Sequence, residues 1–79
     1  MTILSIIPIL FNLLIVDAKT KEPLTGVRVQ TDKAIYYTDF YGSVDIPNNE
    51  KVYTISYVSY QSVDSLNTNR DTIVKLLEK

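Results

Sequence analysis

Residues 26–46 read GVRVQTDKAIYYTDFYGSVDI, and the alternation of apolar and polar side chains in this stretch indicates the fold class. Val27 and Val29 fall on one face of an extended chain. The residues that follow each of them, Arg28 and Gln30, fall on the opposite face. This is the pattern of a half-buried β-strand, with the valines inside and the polar side chains outside.

The remainder of this stretch predicts a strand, a turn and another strand. The segment 34–38, AIYYT, is rich in β-branched and aromatic residues. The turn 39–42, DFYG, offers an Asp that can bond the following backbone and a Gly that tolerates positive φ. In the segment 43–46, Val44 and Ile46 point inward, so it is expected to pair with the preceding strand as a hairpin.

Short strand-forming runs separated by polar turns continue on both sides, without a sustained helical period. The run 11–16 is apolar on both faces and is expected to be central in a sheet or covered on both sides. In the longest run, 52–58, Tyr53, Ile55 and Tyr57 share a face, and this strand too is expected to be central. The other segments are a polar turn at 17–23, a turn after Pro47 at 48–49, a weak strand at 61–66, a loop at 67–71 and a last strand at 72–77 with Val74 beside Leu76.

Composition limits the size and the chemistry of this chain. Its 79 residues allow one small domain, and 46% hydrophobic with 22% charged residues is typical of a globular fold. The formal charge of −1 argues against a nucleic-acid partner. Because there is no Cys and no His, zinc, iron–sulfur and haem sites of the usual kinds and Ser-His-Asp or Cys-His catalysis are excluded. No cofactor and no metal are expected.

The chain begins with an apolar stretch that carries no charge from Ile3 to Val16. It is too short for a membrane span, which needs about 20 apolar residues, and Pro8 interrupts it. Two interpretations of residues 1–10 remain open: a degenerate or truncated export signal, or an extra strand of the fold. In the second case a partner must cover these aliphatic side chains, and self-association through residues 3–10 is the expectation.

Seven short strands at this spacing predict an all-β sandwich or small barrel. With the strands placed, the order of motifs resembles the carboxypeptidase-regulatory-like domains, over about residues 12–77. The resemblance is carried by the pattern V-x-D-x-x-T-x-E-P-L-x-G-V-x-V, then T-D-x-x-G, then S-Y-x-x-Y, then V-x-L. The blocks of this sequence that carry the resemblance contain Val16, Asp17, Thr20, Glu22, Pro23, Leu24, Gly26, Val27 and Val29, then Thr38, Asp39 and Gly42, then Ser56, Tyr57, Val58 and Tyr60, and finally Val74 and Leu76.

Three positions depart from the family pattern. Lys21 and Ser59 stand where the family usually has Gly, and Val44 replaces an aromatic residue. Losing Gly at Ser59 matters if the backbone there needs positive φ, because a residue with a Cβ then costs roughly 1 kcal/mol. The fold is expected to tolerate that cost.

The resemblance implies a seven-stranded Greek-key sandwich similar to prealbumin, occupying residues 11–79. It also implies an exported, non-catalytic accessory module of the bacterial cell envelope, in the periplasm or at the outer membrane. Such domains occur at the N-terminus of TonB-dependent receptors and beside the catalytic domain of metallocarboxypeptidases. A cytoplasmic location follows instead if the N-terminal segment is not a signal. The prealbumin-like hydrolases of 5-hydroxyisourate use His residues, which this chain lacks.

Candidate contact residues are the tyrosines outside the predicted core. Tyr41, at a turn tip, and Tyr60, just past a strand end, are expected to be exposed and to offer stacking faces for a glycan or a peptide. Tyr53 and Tyr57 are expected to pack in the core or at its rim. Other pairs are interpreted as structural: Asp39 with Asp45 rather than a calcium site, Asp17 with Glu22 rather than an acid and base, and Lys19 or Lys33 as solvated rather than isopeptide-forming.

Overall fold

The computed structural model describes residues 10–79, which form seven β-strands and no helix. The prediction of an all-β fold is therefore confirmed for this part of the chain. In chain order the strands are β1 (Leu10–Asp17), β2 (Arg28–Thr31), β3 (Ile35–Tyr37), β4 (Ser43–Pro47), β5 (Val52–Ser56), β6 (Val63–Leu66) and β7 (Thr72–Leu76).

The seven strands are divided between two sheets. The three-stranded sheet has the order β4-β1-β7, in which β1 is antiparallel to β4 and parallel to β7. The four-stranded sheet has the order β3-β2-β5-β6 and is antiparallel throughout. The central positions predicted for β1 and β5 are both confirmed.

Buried apolar side chains from both sheets form one core, which gives a sandwich-like arrangement. The predicted alternation in β2 is confirmed, because Val27 and Val29 are fully buried while Arg28 and Gln30 are half-buried. The predicted inward pair of β7 is buried as well. The core residues are Phe11, Leu13, Ile15, Val27, Val29, Ile46, Val52, Ile55, Val74 and Leu76.

The predicted hairpin between β3 and β4 is wrong. β4 pairs with β1 in the other sheet, with Ile46 opposite Phe11. The turn after β3 is attached to β1, because the Ile15 amide donates to the Gly42 carbonyl at 2.8 Å. The chain therefore passes from one sheet to the other at this turn. Ile46 keeps its predicted inward position, but its strand has a different neighbour.

The prediction that Tyr53 shares the inner face with Ile55 is also wrong. The Tyr53 side chain is 51% exposed, whereas Val52 and Ile55 are buried. A β-bulge accounts for this, because one step along β2, from Gln30 to Thr31, corresponds to two steps along β5. The extra residue shifts the alternation of side chains by one position and turns Tyr53 outward.

The predicted N-terminal segment, residues 1–10, lies outside the described residues except for Leu10. Leu10 is the first residue of β1, and half of its side chain is exposed. Whether this segment is an export signal or an extra strand stays a prediction. Within residues 10–79, no helix is long and apolar enough to span a membrane.

Candidate functional site

Asp17, the last residue of β1, fixes the turn that follows it and reaches across to Tyr60. Its Oδ1 accepts hydrogen bonds from the amides of Lys19 at 2.7 Å and Thr20 at 2.9 Å. Its Oδ2 accepts the hydroxyl of Tyr60 at 2.5 Å. The Asp17 amide donates to the Glu22 carbonyl at 2.9 Å and closes the turn. We call the set Asp17, Lys19, Thr20 and Tyr60 the Asp17 corner.

The hydrogen bonds of the Asp17 corner favour the ionised carboxylate. The Tyr60 hydroxyl has the largest effect, followed by the amides of Thr20 and Lys19, and they lower the pKa of Asp17 from 3.8 to about 2 against the opposing effect of burial. The same bond and then burial raise the pKa of Tyr60 from 10.0 to about 12. At neutral pH the pair is therefore a fixed link between a charged acceptor and a neutral donor.

Tyr60 is half-buried, which differs from the expectation that it is exposed. Its hydroxyl is bonded to Asp17, its ring lies 5.6 Å from that of Tyr57, and its backbone forms a bridge with Glu78. Tyr57 is half-buried and packs against the core, as expected for a rim residue. Ligand contact by Tyr60 stays a prediction, and any such ligand would meet a side chain already engaged in the fold.

Thr38, directly after β3, bridges two backbone groups that have no partner in the strand ladder. Its Oγ1 donates to the Leu24 carbonyl at 2.6 Å and accepts the Val27 amide at 2.9 Å. The Gly26 amide donates to the Thr38 carbonyl at 3.0 Å. Because Thr38 is buried, this bridge supplies hydrogen bonds where water has little access.

The turn 39–42 has the conformation that its sequence predicts. Asp39 Oδ1 accepts the amides of Tyr41 at 2.9 Å and Ser43 at 3.0 Å, and Gly42 adopts a φ of 75°. The turn holds Phe40 and Tyr41 out in solvent, with 79% and 71% of their side chains exposed. Their rings meet edge to face at 5.7 Å. We call Phe40 and Tyr41 the aromatic tip.

Sequence reasoning identified Tyr41 but missed Phe40, its neighbour in the aromatic tip. The signal was present, since an apolar side chain inside a four-residue turn has no core face to occupy. Tyr41 and Tyr60 belong to different ring pairs, so the two predicted contact residues do not form one aromatic pair.

The motif residues from separate parts of the chain come together around β1. The first block follows β1, where Pro23 forms a bridge with Val16 and the Leu24 amide donates to the Ile15 carbonyl at 2.9 Å. The second block contacts it through Thr38 and Gly42, and the third through Tyr60. The motif residues in the three blocks are Asp17, Glu22, Pro23, Leu24, Gly26, Val27, Thr38, Asp39, Gly42, Tyr57 and Tyr60.

The carboxylates considered as alternatives are engaged in structural hydrogen bonds. Asp39 caps its turn, and Asp45 accepts the side-chain amide of Asn12 at 3.1 Å. Within residues 10–79, no group of three or more acidic residues is placed to hold a metal ion. Lys19 and Lys33 are exposed, as expected for solvated side chains.

The bond between Tyr60 and Asp17 predicts a specific pH dependence of stability. The Tyr60→Phe variant should be less stable than the wild type between about pH 4 and pH 10. Because the folded state lowers the pKa of Asp17 to about 2, the difference should shrink as the pH falls from about 4 toward 2. Because it raises the pKa of Tyr60 to about 12, the difference should also shrink as the pH rises from about 10 toward 12.

Urea unfolding of both proteins across this pH range measures the difference in free energy of unfolding. Tyr57→Phe is the matched control, because it removes a hydroxyl from the neighbouring ring and leaves Asp17 bonded to Tyr60. A constant difference between wild type and Tyr60→Phe from pH 2 to pH 12 would contradict the prediction.

The two positions where the family has Gly adopt the conformation that Gly favours. The φ angles are 67° at Lys21 and 70° at Ser59. The Ser59→Gly and Lys21→Gly variants should therefore each raise the free energy of unfolding by roughly 0.5–1 kcal/mol, since a Cβ is strained in this region. Denaturant unfolding measures the change, with Ser62→Gly as the control at a position of ordinary φ. Destabilisation by Ser59→Gly equal to that of the control would contradict the prediction.

Comparison of the chain with protein-family models, with curated proteins and with solved structures gave no match.

Proposed function

We propose that this chain is a carboxypeptidase-regulatory-like domain, with the Greek-key, prealbumin-like sandwich of that family, which serves the bacterial cell envelope as a non-catalytic accessory module. Its role is assembly or protein–protein interaction. One observation carries the proposal: motif residues from three separate blocks are joined by hydrogen bonds around β1, through Asp17, Thr38 and Tyr60. A chance match to the motif would have no reason to bring these residues together.

The polar side chains of the motif form hydrogen bonds within the fold, which supports a structural rather than a catalytic role for them. Asp17 and Asp39 each accept two amide hydrogen bonds, and Asp17 also accepts the Tyr60 hydroxyl. The surface depressions described for residues 10–79 are open to solvent, and the one beside Asp17 is lined by the turn residues 17–19 and the C-terminal residues 77–79. A site of this kind offers contact area rather than an enclosed reaction chamber.

Exposed apolar side chains support an interaction role. They lie at the aromatic tip, on β3 at Ile35 and Tyr37, and on β7 at Ile73. Within residues 10–79, β3 ends the four-stranded sheet as an edge strand, to which a partner's strand could be added. The sequence of the N-terminal stretch is apolar and uncharged, which an export signal or a partner would account for.

Fractionation of the native host tests the envelope role. Intact mass spectrometry should find the chain in the periplasmic or outer-membrane fraction, and native electrophoresis should find it in a complex larger than its own 9.0 kDa. Recovery of the full-length chain from the cytosol alone would contradict the envelope role. Migration as a free monomer in every fraction would contradict the assembly role.

The aromatic tip favours a second candidate function, a glycan- or peptide-binding module. Two exposed rings on a turn fixed by Asp39 are preorganised for stacking, since little conformational entropy is lost on contact. Glycan and peptide arrays should then give a signal that Tyr41→Ala abolishes and Tyr53→Ala leaves intact. Equal signals for both variants would contradict this function.

A further inference from the structure

β3 forms one edge of the four-stranded sheet, and β2 is its one neighbour among residues 10–79. At the two ends of this pairing, the Thr31 amide donates to the Ala34 carbonyl and the Thr38 amide donates to the Val27 carbonyl. Bonded and non-bonded pairs alternate along an antiparallel ladder, so the pair Val29–Tyr36 is bonded and the pairs on either side of it are not. The amide and carbonyl groups of Ile35 and Tyr37 therefore point away from β2. No hydrogen bond from elsewhere in residues 10–79 reaches these outward groups.

The other edge strands carry features that discourage pairing, and β3 does not. β3 reads Ile-Tyr-Tyr, without charge, proline or bulge, and the outward side chains of Ile35 and Tyr37 are 46% and 61% exposed. Charges, prolines and irregular backbone are the usual protection of an edge. The protected edges are β4 with Asp45 and Pro47, β6 with Asp64 and the positive φ of Ser65, and β7 with Lys75.

We propose that β3 pairs antiparallel with β3 of a second copy of this chain, about a two-fold axis at Tyr36. This register sets Ile35 opposite Tyr37 of the second copy, and the reverse. Both residues expose an amide and a carbonyl toward the partner, so the pairing forms four backbone hydrogen bonds and leaves none of these groups unpaired. The interface is self-complementary, as a two-fold contact requires.

The side chains fit the same register. Ile35 and the partner's Tyr37 lie side by side on the outer face, and a β-branched residue beside an aromatic one is a favourable cross-strand pair. Beyond each end of β3 the sequence provides opposite charges, Lys33 before it and Asp39 after it. Antiparallel pairing brings Lys33 of one copy toward Asp39 of the other. Oδ1 of Asp39 is used by its turn, while Oδ2 accepts no hydrogen bond from residues 10–79.

The charges favour this pairing over a parallel one, in which Lys33 would lie beside Lys33 and Asp39 beside Asp39. The edge is three residues long, so the contact is smaller than the roughly 800 Å² per partner of a standard stable interface. The dimer is therefore weak and depends on concentration. This inference uses the β3 edge alone and does not depend on the envelope role proposed above.

Sedimentation equilibrium of the full chain over a wide concentration range tests the dimer. Tyr37→Pro removes the outward amide and no bond to β2, and proline is tolerated on an edge strand. Tyr37→Thr is the matched control, because it also removes the ring but keeps the amide. Two hydrogen bonds are lost per dimer, so the dissociation constant should rise at least about tenfold in Tyr37→Pro relative to Tyr37→Thr. Equal constants, or a wild type that stays monomeric at all concentrations, would overturn the proposal.

Disulfide trapping tests the register without proline. The chain has no cysteine, so introduced cysteines report unambiguously. Opposed residues lie about 5.5 Å apart between Cα atoms, within disulfide range. Oxidising a mixture of the Ile35→Cys and Tyr37→Cys proteins should give more mixed dimer than dimer of either alone, and Ile73→Cys on β7 should give little with either. A statistical mixture, or equal trapping through Ile73→Cys, would overturn the proposal.

Discussion

The Gly42→Ala variant should lose about 2–5 kcal/mol of free energy of unfolding, from left-handed backbone strain and overpacking together. Gly42 has a φ of 75°, and an added Cβ would lie 2.8 Å from the Ile15 carbonyl oxygen, 2.9 Å from Pro23 Cβ and 3.1 Å from the Leu24 nitrogen. Two of these atoms, the Leu24 nitrogen and the Ile15 oxygen, are hydrogen-bonded to each other at 2.9 Å, so they cannot move aside without straining the bond between β1 and the segment that follows Pro23.

Gly26→Ala is the matched control for Gly42→Ala. Gly26 has a φ of 79°, but nothing lies within 4 Å of an added Cβ. This variant should lose only the conformational part, about 1 kcal/mol. Urea unfolding of the two variants separates close packing from backbone strain. Equal losses would show that Gly42 is not packed against β1, and the crossing between the sheets would then need another explanation.

The Thr38→Val variant should lose about 2–4 kcal/mol, because two backbone groups lose their partner and stay buried. The Leu24 carbonyl and the Val27 amide both bond the Thr38 hydroxyl, at 2.6 and 2.9 Å. Valine has nearly the shape of threonine, so the packing is preserved while both hydrogen bonds are removed. The measurement is the free energy of unfolding in urea.

Thr38→Ser is the control for this variant, since it keeps the hydroxyl and removes one methyl group. Its loss should be about 1 kcal/mol. If Thr38→Ser were as destabilising as Thr38→Val, the methyl group rather than the bridge would stabilise the fold. That result would also weaken the proposed family, because the bridge joins the first motif block to the second.

The strands were predictable where a local pattern determines them. The alternation at Val27 and Val29, the turn of Asp39 with Gly42 and the apolar β1 each follow from neighbouring residues. The bulge at Tyr53 was not predictable in this way. It depends on how β5 matches β2, and the sequence of β5 alone has an unbroken alternation there.

The partner of β4 and the role of Tyr60 depend on contacts between distant parts of the chain. A Gly after an Asp turn predicts a reversal, but the attachment of Gly42 to Ile15 decides which sheet the next strand joins. Tyr60 lies 43 positions from Asp17, and neither residue alone indicates the other. The family pattern placed both residues in one motif set, whereas their hydrogen bond became visible only in the fold. Lys21 and Ser59 both adopt positive φ, and the residue types Lys and Ser do not themselves indicate that conformation.

The most direct test of the Asp17 corner, on which the proposed family rests, is the carboxyl ¹³C NMR titration of Asp17 in the wild type and in Tyr60→Phe. The corner predicts a midpoint at about pH 2 in the wild type and a clear rise toward 3.8 in the variant, because the largest stabilising bond is lost. A wild-type midpoint near 3.8 that Tyr60→Phe leaves unchanged would contradict it, and the first and third motif blocks would then not be joined as described.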